Sequence, residues 1–462
     1  MAAVVFGSLF ALLFIEGGAS LTGQLKVALN WSLSIASTLL LMLLVYHSSR
    51  VLSEELAEGQ FALLDVKPAG RWRVLLGKWL GLALLSGWLL LLIGCLTYGG
   101  LYWIAQRSVQ RVVEGSEALD RRADLDEAYQ SFFVSRRSMR PQLLDMEDEI
   151  EQYRKRLRER GVLKPGQHSN PALDDYIRQV LQLRLLPIDY RASRMFEFDG
   201  LPAYDSRHPD LVVRYKLFGR RDGATADMLT HRWELGNRSN GTVMQLDQRS
   251  RAGASAEFIQ SARSVGPDGR LQLRITNLSS GSPGKSPVKI IVPAGRGIEV
   301  LVPAGSFGVN LIRGLLLIWI RLIMVAGIGI GASTMLRGQV TAFLLLGVLV
   351  VGVLNGFVVE LLDPQTKSLD QLERLAAGVD ESDASSVLVR VSRSFEAILP
   401  PLVRAMPNFD ETDPIPDLTL GREVSWWRLL RQAFRDIGLR AGLFIASGAW
   451  LFSRREVGLP SL

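Results

Sequence analysis

Cysteine is nearly missing from this chain of 462 residues: Cys95 stands alone, which excludes an internal disulfide and any multi-cysteine zinc site. Histidine is scarce too. His47, His168, His208 and His231 lie far apart, with no HExxH or HxxxH spacing to set two imidazoles on one helix face, so no metal-ligand set is readable. No GxSxG nucleophile elbow occurs, and nothing in the sequence points to a catalytic residue. Charge of one sign is also wanting. The surplus of +7, from 53 basic against 46 acidic residues, is interleaved with acids and carries no basic–aromatic motif, which argues against a nucleic-acid partner. With 48% hydrophobic residues, disorder, collagen and fibrous coiled coil are excluded as well.

What is present is bunched at the two ends. A membrane span needs about 20 mostly apolar residues to cross about 30 Å of hydrocarbon. Residues 27–46, 80–104, 311–336, 340–362 and 438–453 meet that need or come close to it. Residues 1–15 are apolar but short, at about 1.5 Å per residue, and no Lys or Arg precedes the run as in a secretory signal. A first span is expected there, giving six in all. The short loops fix an orientation: Arg50, Lys67, Arg71, Arg73 and Lys78, then Arg337, then Arg454 and Arg455 fall on one side, which the positive-inside rule makes cytoplasmic. The polar region 106–308 and the acid-rich loop 363–425 are then expected outside. The fold expected is an α-helical polytopic membrane protein of six transmembrane helices with an inserted extracytoplasmic α+β domain. Its divisions are 1–105 (three spans), 106–194 (helical region), 195–308 (β-sandwich) and 309–462 (three spans).

Within the outer region, residues 112–160 read as helix, with an apolar set at Leu143, Met146, Ile150 and Tyr153 and the pair Glu151 and Lys155 at i, i+4. Leu173–Leu186 resumes the helical pattern after the breakers Gly161, Pro165, Gly166 and Pro171, which suggests a helical hairpin. From about residue 195 the period becomes two. LVVRYKLF (211–218), MLTHRWEL (228–235), RLQLRIT (270–276), KIIV (289–292) and IEVLV (298–302) are short and bounded by Gly, Asn, Ser and Pro, the pattern of a β-sandwich.

The cytoplasmic segment 48–78 is the most informative. GRWRVLLGK (70–78) imitates a phosphate-binding loop, but Trp72 stands where its first Gly is required and Trp79 follows Lys78 in place of Ser or Thr. The chain therefore carries no nucleotide-binding motif. Pro68 disfavours helix at Lys67, so a helix begun near 51 should end by about 65; its acidic start suits the helix dipole. Inside the spans, Gly77/Gly81, Gly327/Gly331 and Gly352/Gly356 have the GxxxG spacing that permits close helix contact. Arg321 lies in an apolar run and either faces the bundle interior or snorkels to the headgroups, while Glu360 and Asp363 read as interfacial.

Glu54, Glu55, Glu58, Gly59, Leu63, Leu64, Pro68, Arg71, Gly77 and Lys78 together resemble the loop of the permease subunits of type II ABC exporters, among them the gliding-associated and copper-enzyme-maturation permeases. SFGVNLIRGLLLIWIRLIMVAGIGIGAST (306–334) is similar to the fourth span of that family, and MPNFDETD (406–413), SWW and FSRRE (452–456) resemble its carboxyl end. The resemblance covers the membrane parts and implies a permease in the cell inner (cytoplasmic) membrane. It also implies that the loop docks on a separate ABC ATPase holding ATP and magnesium, and that a second permease subunit, the same or different, completes the assembly. The chain itself would perform no catalysis and carry no cofactor or metal. A mechanical or assembly role for the outer domain is the rival reading, and an ATP-independent receptor whose sandwich binds a ligand is another.

Overall fold

The computed structural model describes residues 21–57, 70–113, 132–141, 151, 155, 187–202, 210–221, 224–225, 227–236, 244–280, 287–293, 297–362 and 407–454. The chain separates into two compact units. One draws on Met1–Arg136, Ala304–Val358 and Ala397–Leu462, the other on Arg137–Pro303 and Val359–Glu396.

The first unit is helical: α1 (Leu21–Arg50), α2 (Ser53–Ala57), α3 (Arg71–Val113), α4 (Phe307–Ser333), α5 (Gly338–Leu362), α6 (Phe409–Thr412), α7 (Ile415–Thr419), α8 (Trp426–Ala433) and α9 (Gly442–Arg454). A π-helical segment, Phe434–Ala441, joins α8 to α9. Four stretches, Leu21–Glu55, Arg71–Arg107, Phe307–Ser333 and Gly338–Asn355, are long and apolar enough to cross a membrane, the mark of a membrane protein. The first expected span, residues 1–15, lies outside the described residues. The expected last span differs from expectation: its helix passes through the π segment, and α9 is only 13 residues long.

Helix α4 is the axis of this unit. Its run from Leu322 to Ser333 is wholly buried, in contact with α1, α3, α9 and the π segment. On α1 the buried residues Leu25, Leu29, Leu33, Ala36, Leu40 and Leu44 recur at steps of three and four, one stripe of a 3.6-residue helix. The opposite faces of the helices expose Trp31, Leu84, Trp88, Phe343 and Val353, the surfaces that hydrocarbon would solvate. Two buried or part-buried serines of α1 bond within the helix, Ser32 Oγ donating to the Leu29 carbonyl at 3.1 Å and Ser37 Oγ to that of Ser34 at 3.1 Å, so the apolar helix carries these two hydroxyls satisfied.

The second unit is built of strands, and strand formation starts earlier than the patterning suggested. Val134–Met139 is strand β1, not helix, because an edge strand takes its conformation from its neighbour β12 rather than from local propensity. Short β2 (Pro187–Ile188) and β3 (Ser193–Phe198) also precede or straddle the expected start at 195. Glu151 and Lys155 are helical and exposed, as expected. The segment 173–186 lies outside the described residues. All five anticipated strands are present in β4 (Asp210–Lys216) with β5 (Phe218–Arg221), β7 (Met228–Gly236), β10 (Leu271–Asn277), β11 (Lys289–Ile291) and β12 (Ile298–Ser306). Unanticipated are β6 (Ala224–Thr225), β8 (Met244–Arg251) and β9 (Ser255–Ser261). Three four-stranded sheets result, ordered β1-β12-β4-β9, β3-β10-β7-β8 and β2-β11-β5-β6.

Alternation does the work of folding here. Leu229, His231, Trp233 and Leu235 of β7 and Leu271, Leu273 and Ile275 of β10 point inward, and Tyr215 and Phe258 enter the same core from β4 and β9. The Tyr215 and Trp233 rings lie 5.0 Å apart, and Trp233 and Phe258 5.9 Å. A polar row crosses the other sheet in register: Ser138 donates to Glu299 at 2.6 Å, and Arg214 reaches Glu299 at 3.3 Å and Glu257 at 3.0 Å. A one-residue slip would break this row and turn the apolar set outward, so it pins the register.

Candidate functional site

The segment singled out in the sequence is built on a stem. Helix α1 ends at Arg50, two turn residues follow, and α2 begins at Ser53, whose Oγ donates back to the Ser49 carbonyl at 3.0 Å. Glu54 stays at the surface beside Arg50, 3.4 Å away. Glu55 turns the other way: Lys78 Nζ, on α3, donates to its Oε1 at 2.5 Å, with both side chains largely enclosed. The two residues that flank the loop are thus joined to each other. Arg71 opens α3 and donates from Nη1 to the Phe452 carbonyl at 2.8 Å, its guanidinium 5.4 Å from the Phe452 ring centre. Gly338, the first residue of α5, sits so close to the α1–α2 joint that a Cβ there would lie 2.7 Å from Ser53 Oγ. Four elements, α2, α3, α5 and α9, therefore meet at the base of the loop.

Of the ten loop residues expected to touch a partner, Glu55, Arg71 and Lys78 are held within the chain, Glu54 is exposed, and Gly77 faces open space. Glu58, Gly59, Leu63, Leu64 and Pro68 lie outside the described residues. The expected helix from 51 is present over Ser53–Ala57.

The small-residue pairs divide clearly. A Cβ on Gly327 would meet Ala441 Cβ at 2.6 Å, and one on Gly331 would collide with the Phe444 carbonyl, so α4 and the last helix touch backbone to backbone. A Cβ on Gly77 or Gly81 would have nothing within 4 Å, so their spacing makes no contact among the described residues. Gly352 accommodates the Phe409 ring. The α3–α4 contact is closed by two indoles, Trp79 Nε1 donating to Ile323 O at 3.1 Å and Trp319 Nε1 to Ala83 O at 2.8 Å.

Arg321 lies on α4 fourteen residues after Phe307 and twelve before Ser333, midway along the helix. It is directed at the segment beside α6, with its guanidinium carbon 5.8 Å from the centre of the Phe409 ring and within the field of Asp413. Nearer the start of α4, Arg313 pairs with Glu423 at 2.6 Å, and Asn310 both donates to Arg422 O at 2.7 Å and accepts from Val424 N at 2.8 Å. Arg428 joins Asp417 at 2.5 Å.

Sequence reasoning passed over Asp436. It is buried in the π segment, accepting from Arg440 at 2.6 Å and from Gln432. An acid in a partly apolar helix, with Gln432 one turn before it and Arg440 one turn after, was the available signal. In the strand unit His231 is fully buried between Tyr215 and Trp233, and burial pushes its pKa down from 6.5 to about 4. No metal-holding group of His, Cys, Asp or Glu occurs among the described residues. No protein family, curated protein or solved structure matches the chain.

Proposed function

We propose that this chain is the permease subunit of an ATP-binding-cassette exporter, with the loop 58–69 as its contact with a separate ATPase. The observation that carries this reading is the Lys78–Glu55 bridge, which closes the base of the loop across 23 residues of sequence. A force applied to a loop pinned in this way reaches α1 through α2, α3 through Lys78, and α5 through Gly338. An ordinary solvated connector has no need of such a stem.

In this reading the loop is cytoplasmic, the strand unit is extracytoplasmic, and the membrane is the inner one. Residues 1–15 and the helical run Trp426–Arg454 supply two further spans to make six. The exposed residues Trp427, Leu430, Phe434, Leu443 and Trp450 along that last run suit contact with lipid. ATP and magnesium belong to the partner subunit, and two permease subunits pair.

One observation favours movement of the outer unit over passage of a solute through a single chain. Beyond Arg321 the second half of α4 is packed by apolar and small residues, and the Gly327 and Gly331 contacts seal it against the last helix.

The test is a mild-detergent purification of the tagged full chain, with co-purifying proteins identified by mass spectrometry and assayed for ATP hydrolysis. A Walker-motif ATPase should accompany the wild type and be lost with Glu58→Arg. If the extracted chain is folded and no ATPase accompanies it, the proposal fails.

A further inference from the structure

Four arginines lie along the first half of α4 and the segment that covers it. Three have carboxylates within 4.0 Å: Arg313 with Glu423, Arg422 with Asp417, and Arg428 with Asp417. Arg321 is different. Its Nε is enclosed and has no hydrogen-bond partner, and no carboxylate among the described residues stands within ion-pair distance. The charge of Asp413 acts on it from beyond ion-pair distance, and Asp413 Oδ1 accepts from Ile415 N at 3.1 Å. The residue as a whole remains partly accessible.

A guanidinium midway along a largely buried helix is costly where an N–H has left water and found no acceptor, as Nε has here. The planar fork is matched by the paired oxygens of a carboxylate or phosphate. One face is already covered by the Phe409 ring, which leaves the edge of the fork for a ligand. The approach is charged as well. Arg428 donates to the Asp413 carbonyl at 3.4 Å and to the Asp417 carboxylate, so polar groups lead from beside Arg321 toward the Arg422 and Arg313 end of the bundle.

We propose that Arg321 is the binding point for an oxyanion, a carboxylate or phosphate group, that enters from the Arg313 end of the bundle. The anion is either the headgroup of an acidic lipid or a free solute. The proposal goes beyond the coupling reading and rests only on the membrane character of the helices. It therefore survives the loss of the ATPase result, and the ATPase result survives its loss.

The experiment uses the full chain in nanodiscs of phosphatidylcholine, titrated with inorganic phosphate by calorimetry. Saturable binding is expected, weakened at least tenfold by Arg321→Gln and unchanged by Arg431→Gln, an exposed arginine of α8. Asp413→Asn removes the competing negative charge and keeps an oxygen for Ile415 N, so it should tighten phosphate binding several-fold. This second variant tests the proposal even if Arg321→Gln does not fold. Repeating the titration in discs containing phosphatidylglycerol separates the sources: suppressed phosphate binding means a lipid headgroup, and unchanged binding a free solute. No saturable binding by the wild type in neutral discs, or equal binding by wild type and folded Arg321→Gln, means that water satisfies Arg321 and overturns the proposal. Unchanged or weaker binding by Asp413→Asn also overturns it.

Discussion

Replacing Lys78 with Glu breaks the stem at the ion pair that closes it. Nζ and Oε1 stand 2.5 Å apart, and the side chains are 18% and 30% exposed. Exposed ion pairs contribute about 0–1 kcal/mol, while breaking a buried pair costs about 3–5 kcal/mol because a charge is stranded. This pair lies between those limits, and Glu55 Oε2 has no hydrogen-bond partner to hold the acid once Lys78 is gone. The single variants Lys78→Glu and Glu55→Lys should each cost about 2 kcal/mol. The exchanged double variant should recover about a quarter to a half of the summed loss, a coupling of about 1–2 kcal/mol. Thermal unfolding of the detergent-solubilised chain, followed by tryptophan fluorescence, reads the stability. Recovery of the ATPase in the same four samples reads the function: lost in both single variants and regained in the exchanged one. Strict additivity, with the double variant as unstable as the sum, would refute the idea that the pair closes the stem. Full ATPase recovery from the single variants would refute the idea that the stem matters for coupling.

Three further outcomes are expected. His231 is neutral in the folded chain, so between pH 6.5 and about 4 the unfolded state binds the extra proton; stability is complete above pH 6.5 and falls by about 3 kcal/mol as pH drops to 4. His231→Leu should flatten that slope in unfolding curves of the strand unit, and an unchanged slope would place the acid sensitivity elsewhere. Gly331→Ala, whose Cβ meets the Phe444 carbonyl, should cost about 1–3 kcal/mol, while Gly81→Ala in open space should be neutral; equal melting temperatures for the two would contradict the helix contact. Trp233→Ala, at the centre of the strand-unit core, should cost about 3–5 kcal/mol, and hydrogen exchange should show β7 and β10 losing protection first.

The sequence made legible whatever rests on a period. The runs that became α1, α3, α4 and α5 stand out by apolar length, and β7 and β10 by strict alternation. β8 was hidden because its inward positions are Leu246, Gln248 and Ser250, only one of them apolar, and its strand character depends on pairing with β7. β1 reads VSRRSM, with no apolar alternation, and follows from its neighbour rather than from its own residues. The site divides in the same way. Glu55 and Lys78 were visible as motif positions, but nothing in their spacing said that they face each other across the loop. Arg321 was visible as a charge in an apolar run. Its interior setting depends on Phe409 and Asp413, some 90 residues away, which no local pattern could join to it.

The two halves of α4 bring these observations together. Its first half carries Asn310, Arg313 and Arg321 toward a segment rich in Arg and Asp, where polar bonds can be exchanged for others at modest cost. Its second half meets the last helix through glycine and backbone, a contact that either holds or separates as a whole, because no flexible side chain lies between to absorb a shift. Arg71 ties the foot of the loop to Phe452, near the end of that same last helix. Movement of the loop base therefore acts on the rigid half of α4 through α9, and it reaches Arg321 only at the junction of the two halves. An oxyanion held at Arg321 would sit at the one level where the rigid contact gives way to an exchangeable network, so its release and the opening of the Gly331 contact should be linked. A Gly331→Ala chain that folds should accordingly change phosphate affinity, although residue 331 touches no part of that site.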